Sequence, residues 1–121
     1  MHEMALVHQV LDVVLESTKA APAVTVSEVH LTIGEARDVI EDYMQGLFTF
    51  LARGTVAEQA KLIINRVPYT VRCADCGEVF PLNVRDQRTW VCPKCGAFKR
   101  YYLNSGMEFR VDSIQVAEGA A

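Results

Sequence analysis

The sequence has no apolar run that approaches the roughly 20 residues a membrane-spanning helix needs. Its apolar stretches, such as residues 60–64, are short and contain a lysine. At the N-terminus, His2 and Glu3 occupy positions where a signal peptide carries basic residues. We therefore expect a globular protein of the cytoplasm that makes no membrane contact.

Recognisable catalytic motifs are also missing. The chain has no Gly-x-x-x-x-Gly-Lys-Ser/Thr phosphate loop, so any nucleotide hydrolysis would belong to a partner. It contains only three histidines, and no serine or cysteine stands in a pattern that pairs a nucleophile with a base. The sequence predicts a binding protein and not an enzyme.

Positive charge is scarce, with 12 basic residues against 15 acidic ones. Only residues 68–106 are basic overall, and four metal-bound thiolates in that segment would reduce its charge to about +1. Proteins that bind nucleic acid need basic surface to neutralise phosphates, so no nucleic-acid partner is expected. An alternative function for the cysteine segment is that of a zinc-ribbon module that contacts nucleic acid or another protein. Its contact residues would be Arg72, Arg85, Arg88, Lys94, Lys99 and Arg100.

Hydrophobic periodicity predicts two helices and three strands outside the cysteine segment. The helices are predicted from Glu3 to about Ala20 and from Val39 to Leu51; the strands are Val24–Ile33, with a phase slip at Ser27-Glu28, then Ala60–Tyr69 and Met107–Val116. Residues 117–121 have little to bury and are predicted to be a loose tail.

This order of elements predicts an α+β fold, with a small three-stranded mixed sheet covered on one face by two helices. A zinc-ribbon-like domain with four cysteines interrupts it. The predicted domains are residues 1–67 with 107–121, and residues 68–106.

The four cysteines form two Cys-x-x-Cys-Gly turns, one at Cys73 and Cys76 and one at Cys92 and Cys95. Two such turns complete a tetrahedral shell of thiolates, for which zinc is the usual metal. Because every ligand comes from the protein, the predicted role of the zinc is structural. A rubredoxin-like iron centre is the alternative, and visible absorption would reveal it.

The first three residues, Met1-His2-Glu3, place an amine, an amide nitrogen and an imidazole in succession along the backbone. Nitrogen donors in a plane suit Ni(II) or Cu(II). An exposed histidine without a metal is the commoner outcome for such a tripeptide. His8 and His30 are predicted to be solvated or hydrogen-bonded.

Six motifs along the chain match one known family in order. They are MHEM (residues 1–4), LTIGE (31–35), LFTFLARGT (47–55), CADCG (73–77), CPKCG (92–96) and GMEFRVDSIQV (106–116). On these motifs the chain resembles the HypA/HybF family of hydrogenase nickel-incorporation proteins.

This resemblance implies a nickel metallochaperone that serves [NiFe] hydrogenase maturation, with the hydrogenase large-subunit precursor and the GTPase HypB as partners. It implies nickel at Met1, His2 and Glu3, and zinc at the four cysteines. Some family members add an acidic residue near the start of the second helix, a role open here to Asp38, Glu41 or Asp42. Others carry a later histidine that reaches the nickel, whereas this chain has none after His30.

Overall fold

The structure is a computed structural model that describes residues 3–20 and 24–118 of the chain. Its helices and strands, in chain order, are α1 (Glu3–Ser17), β1 (Val24–Gly34), α2 (Glu41–Leu51), β2 (Lys61–Val67), β3 (Thr70–Cys73), β4 (Val79–Pro81), β5 (Tyr101–Ser105) and β6 (Phe109–Glu118). A turn of 3₁₀ helix, Gln87–Thr89, lies between β4 and β5.

The two helices pack against each other through apolar faces. The buried helical residues recur at three- and four-residue spacing: Leu6, Val7, Val10, Leu11 and Val14 in α1, and Met44 and Phe48 in α2. Complete burial of a side chain the size of Phe48 stabilises the fold by about 1.5–3 kcal/mol. α1 ends at Ser17, three residues before its predicted end near Ala20, and the Thr18 hydroxyl donates to carbonyls of the last turn.

The first sheet has the strand order β2-β1-β6. At the ends of β1 and β2, the amide of Glu35 donates to the carbonyl of Val67, as expected for parallel neighbours. The amide of Gly34 donates to Glu108, just before β6 begins, while Ser27 donates to Gln115 near the end of β6. β1 and β6 are therefore antiparallel, and the sheet is mixed.

β1 contains the predicted change of phase. Val26 is buried, and burial then resumes at Val29, Leu31 and Ile33. Two residues, Ser27 and Glu28, separate the two buried series, so the phase slips by one residue as the alternation indicated.

β6 corrects one prediction. The strand continues to Glu118, so Ala117 and Glu118 are not part of a loose tail. The sequence prediction was wrong because it relied on apolar side chains, whereas the exposed end of a strand is held by main-chain pairing with its neighbour. Residues 119–121 lie outside the described residues.

The described chain forms two compact units. One contains described residues within 1–32, 38–65 and 109–121; the other contains residues 33–37 and 66–108. The second unit has an antiparallel sheet of strand order β4-β3-β5. Its core consists of Val71, Phe80 and Leu82 with the buried cysteines, and Tyr69, Trp90, Ala97 and Tyr101 pack around it.

Residues 33–37 belong to the second unit through hydrogen bonds that span many residues of sequence. The Arg66 guanidinium donates to the carbonyls of Ile33, Gly34 and Arg37 at 3.0–3.2 Å. Ala36 adds an amide bond to the carbonyl of Gly106. One arginine side chain thus donates to three backbone carbonyls of residues 33–37.

The predicted fold class, two helices with a small mixed sheet and a zinc-ribbon-like four-cysteine module, is confirmed. Among the described residues, no helix combines the length and apolar character needed to span a membrane.

Candidate metal centre

Two turns of the same construction carry the cysteines. In the first, the amide of Gly77 donates to the carbonyl of Cys73 at 2.9 Å; in the second, Gly96 donates to Cys92 at the same distance. Both glycines have positive φ, 81° and 79°, a conformation that glycine adopts at little cost. The glycine after each Cys-x-x-Cys pair therefore lets the chain reverse around the sulfur atoms.

The two turns bring all four sulfurs together. The Sγ atoms of Cys73, Cys76, Cys92 and Cys95 lie within 4.8 Å of one another. Across the turns, Cys73 and Cys95 are 3.6 Å apart and Cys76 and Cys92 are 3.5 Å apart. Tetrahedral zinc with bonds of about 2.3 Å separates its sulfurs by about 3.8 Å, so the cluster fits this ion. These separations are far longer than a disulfide bond of about 2.05 Å, and all four cysteines are thiols.

Backbone amides favour the thiolate form of Cys92. Burial opposes its ionisation, but the amides of Cys95 and Lys94, at 3.5 and 3.4 Å from its sulfur, and the neighbouring thiols lower the pKa of Cys92 to about 7. A thiolate is the form that binds a metal. Cys92 can therefore be a thiolate near neutral pH. For Cys76, the amide of Glu78 favours the thiolate, but burial and the three other thiols raise its pKa to about 12, so a bound metal must displace this proton.

The cysteine residues differ in their exposure to solvent. Cys73 and Cys92 are buried, whereas Cys76 and Cys95 are exposed. Next to the first turn, Arg100 forms an ion pair with Asp75 at 2.8 Å. With four protein ligands on one tetrahedron, no coordination position remains for a substrate, which is the arrangement of structural zinc sites.

Several basic residues that a nucleic-acid surface would use already have protein partners. Arg88 pairs with Asp86, Arg100 with Asp75, and Arg72 donates to the Gly77 carbonyl. In a nucleic-acid-binding surface, these guanidinium groups would instead contact phosphates. Lys99 lies 5.4 Å from the ring centroids of both Trp90 and Phe98.

The candidate nickel residues are only partly within the described structure, because Met1 and His2 lie outside the described residues. Glu3 is the first residue of α1 and is 3% exposed. One of its carboxylate oxygens accepts the amide of Ile40 at 3.3 Å. This contact between residues 37 positions apart has no signal in the sequence.

The other sequence candidates lie near the start of α2, on α1 and in β1. Asp38, Glu41 and Asp42 lie at and before the start of α2, where Glu41 and Asp42 are exposed, and His8 is exposed on α1. His30 lies 2.9 Å from a carboxylate oxygen of Glu28, in agreement with a hydrogen-bonded side chain. Among the described residues, the cysteines are the one group of three or more histidine, cysteine and acidic residues close enough to hold a metal.

The fold and the four-cysteine centre define a small α+β metal-binding protein. The family model described as "Hydrogenase/urease nickel incorporation, metallochaperone, hypA" matches residues 1–116. The chain therefore belongs to the HypA family of nickel-incorporation metallochaperones that act in hydrogenase maturation.

Known proteins agree with this assignment. The chain is 34% identical to "Hydrogenase maturation factor HypA" of Dehalococcoides mccartyi strain 195 over 116 residues, which cover 96% of this chain and 94% of the relative. It is 36% identical to the protein of the same name from Thermomicrobium roseum, with 98% and 100% coverage.

Two solved structures are also similar. The solution structure of the nickel metallochaperone HypA from Helicobacter pylori matches with a TM-score of 0.62, 27% identity and full coverage of both chains. A second solution structure of a HypA protein matches with a TM-score of 0.70, 27% identity and 97% coverage of each chain.

Proposed function

We propose that this protein binds Ni(II) at its N-terminus and delivers it to the large-subunit precursor of a [NiFe] hydrogenase in the cytoplasm. The observation that carries this proposal is the family match across residues 1–116, which includes the N-terminal tripeptide and both cysteine turns. The proposed nickel ligands are the Met1 amine, the amide and imidazole of His2, and the backbone nitrogen of Glu3. Water or one of Asp38, Glu41 and Asp42 completes the shell.

The chemistry of the tripeptide suits a carrier. Its nitrogen donors follow one another along a short covalent path and close fused chelate rings around one ion. A chelate at the start of a chain leaves one side of the metal open. An acceptor protein can place its own ligand there before the carrier releases the ion.

The four cysteines hold zinc in a different role. Four thiolates give the site a formal charge of −2 and exclude other ligands, so bound zinc supplies folding free energy to the second unit and no reaction. The core of this unit supports that role, because Cys73 and Cys92 are themselves core residues beside Val71 and Phe80.

HypB is the proposed source of GTP hydrolysis. The sequence has no phosphate loop, and the family is one of metallochaperone maturation factors. We therefore assign no enzymatic activity to this chain, and we assign the energy-consuming step to the partner.

The nickel site is tested by calorimetric titration of untagged, zinc-loaded protein. His2→Ala removes an imidazole, and a Gly-Ser extension before Met1 removes the terminal amine while keeping every side chain. Both proteins should lose tight nickel binding and keep one zinc per chain. The matched control is His8→Ala, which removes an exposed histidine from α1 and should bind nickel like the parent. Parental affinity in both altered proteins would refute the N-terminal site.

Delivery is tested separately. Protein loaded with radioactive nickel is mixed with the nickel-free large-subunit precursor, with and without HypB and GTP, and the two proteins are then separated. Label should move to the precursor, and HypB with GTP should accelerate the transfer. Nickel that stays on this protein under all conditions would refute delivery while leaving nickel binding intact.

A further inference from the structure

The start of α2 has no cap of its own. The residue at its N-cap is Ile40, whose extended backbone is followed by Glu41, Asp42 and Tyr43, and Ile40 has no side-chain oxygen to accept a hydrogen bond. In a capping box, a glutamate at the third helical position accepts the amide of the N-cap residue. Tyr43 occupies that position here and has no carboxylate. The amide of Ile40 needs an acceptor from another part of the chain.

Glu3 supplies this acceptor. Its Oε2 accepts the Ile40 amide at 3.3 Å, so the carboxylate takes the part that a glutamate within α2 would have taken. Both residues lie in the same compact unit, and their elements α1 and α2 pack together. The contact therefore joins the first residue of α1 to the N-cap residue of α2.

Burial of Glu3 indicates that this contact is part of the fold. Glutamate is rarely buried without partners, yet Glu3 is 3% exposed. It lies in the first turn of α1 and at the N-terminus of α2, where amide groups of both helices favour negative charge. The Ile40 amide is thus one partner of this buried carboxylate.

From this geometry we propose that Glu3 is a positioning residue for the nickel site and that its carboxylate is not a nickel ligand. The inference rests on the proposed N-terminal site. By holding the start of α1 against α2, the side chain fixes the backbone nitrogen of Glu3, from which the Met1-His2 chelate extends. The amide of Glu3 ligates, and its carboxylate holds that amide in place.

Two substitutions separate positioning from ligation. Glu3→Gln keeps an oxygen that accepts the Ile40 amide at the same reach but lacks the carboxylate charge that a metal prefers. Glu3→Ala removes both. If the side chain positions the site, nickel affinity should fall less than about threefold in Glu3→Gln and about tenfold or more in Glu3→Ala, the ratio expected for one lost hydrogen bond.

Two readouts accompany the titrations. The visible absorption bands of bound nickel report its ligands and should be the same in Glu3→Gln and the parent. Amide hydrogen exchange at Ile40, measured without nickel, should accelerate in Glu3→Ala and stay slow in Glu3→Gln. Bound zinc should stay at one per chain throughout, which shows that the second unit is intact.

Several results would overturn the inference. Parental nickel affinity in Glu3→Ala would show that the contact does not position the site. Equal loss in both variants, with shifted absorption bands in Glu3→Gln, would make the carboxylate a ligand. If the Gly-Ser-extended protein, with Glu3 unchanged, bound nickel as tightly as the parent, the proposed N-terminal site would be refuted and this inference with it. The extended protein thus separates failure of the site from failure of the positioning role alone.

Discussion

Replacement of Gly34 by alanine and replacement of Gly46 by alanine should change the free energy of unfolding in opposite directions. Gly34 lies at the end of β1, where a Cβ atom would stand 2.0 Å from the carbonyl carbon and oxygen of Gly106 and 2.5 Å from the nitrogen of Met107. Carbon atoms in favourable contact are about 3.5–4.0 Å apart, so alanine cannot fit without backbone movement. Gly46 lies within α2 and is exposed, and a Cβ there would meet no atom within 4 Å.

The cost at Gly34 follows from what would have to move. The carbonyl of Gly106 accepts the Ala36 amide at 2.8 Å, and the amide of Gly34 donates to Glu108 at 2.8 Å. Relief of the clash disrupts at least one of these bonds, at about 1–3 kcal/mol, and overpacking adds about 1–3 kcal/mol. We expect Gly34→Ala to lower the free energy of unfolding by about 2–6 kcal/mol, a large part of the stability of a small domain.

Gly46→Ala should raise the free energy of unfolding by about 0.5–1 kcal/mol, because alanine loses less backbone entropy in a helix. Urea unfolding of the zinc-loaded proteins, followed by far-ultraviolet circular dichroism, measures both changes. A Gly34→Ala protein within about 0.5 kcal/mol of the parent would refute the close approach of the two backbone segments.

Two further predictions concern the cysteine centre and the first sheet. Cys92→Ser should release zinc, measured by metal analysis, and unfold the second unit, since structural zinc contributes on the order of 10 kcal/mol to small domains; stoichiometric zinc in this variant would contradict the tetrathiolate site. The Thr32 hydroxyl, and then Arg110, lower the pKa of Asp112 below its ordinary value. The ionised Asp112 therefore stabilises the fold at pH values above its unfolded-state pKa of about 3.9. This stabilisation is lost as the pH falls through the folded-state pKa. The stability difference between parent and Asp112→Asn, from urea midpoints, should therefore shrink on acidification below about pH 4, and a difference independent of pH would refute this role.

The sequence alone was sufficient where the determining interactions are local. Each cysteine turn closes through a hydrogen bond between residues four apart, and its glycine is dictated by the positive φ of the turn. The helical periodicity of α1 and the alternation in β1 similarly depend on neighbours along the chain. The four-cysteine cluster could be predicted because local turn geometry and the valence of one metal leave few other arrangements.

Tertiary structure decided what depends on residues far apart in sequence. β6 extends to Glu118 because its neighbour β1 offers a main-chain partner, although its last side chains are exposed. The contacts of Arg66 with the carbonyls of Ile33, Gly34 and Arg37, and the approach of Gly34 to Gly106, leave no periodic trace.

The same distinction applies at the candidate nickel site. The sequence identifies Glu3 by its place after Met1-His2, where either its backbone nitrogen or its carboxylate could bind nickel. Only the fold shows the carboxylate buried and accepting the amide of Ile40, because that contact requires α1 and α2 to pack first. The sequence specifies which groups of Glu3 could bind nickel, and helix packing determines which of them already accepts a hydrogen bond within the protein.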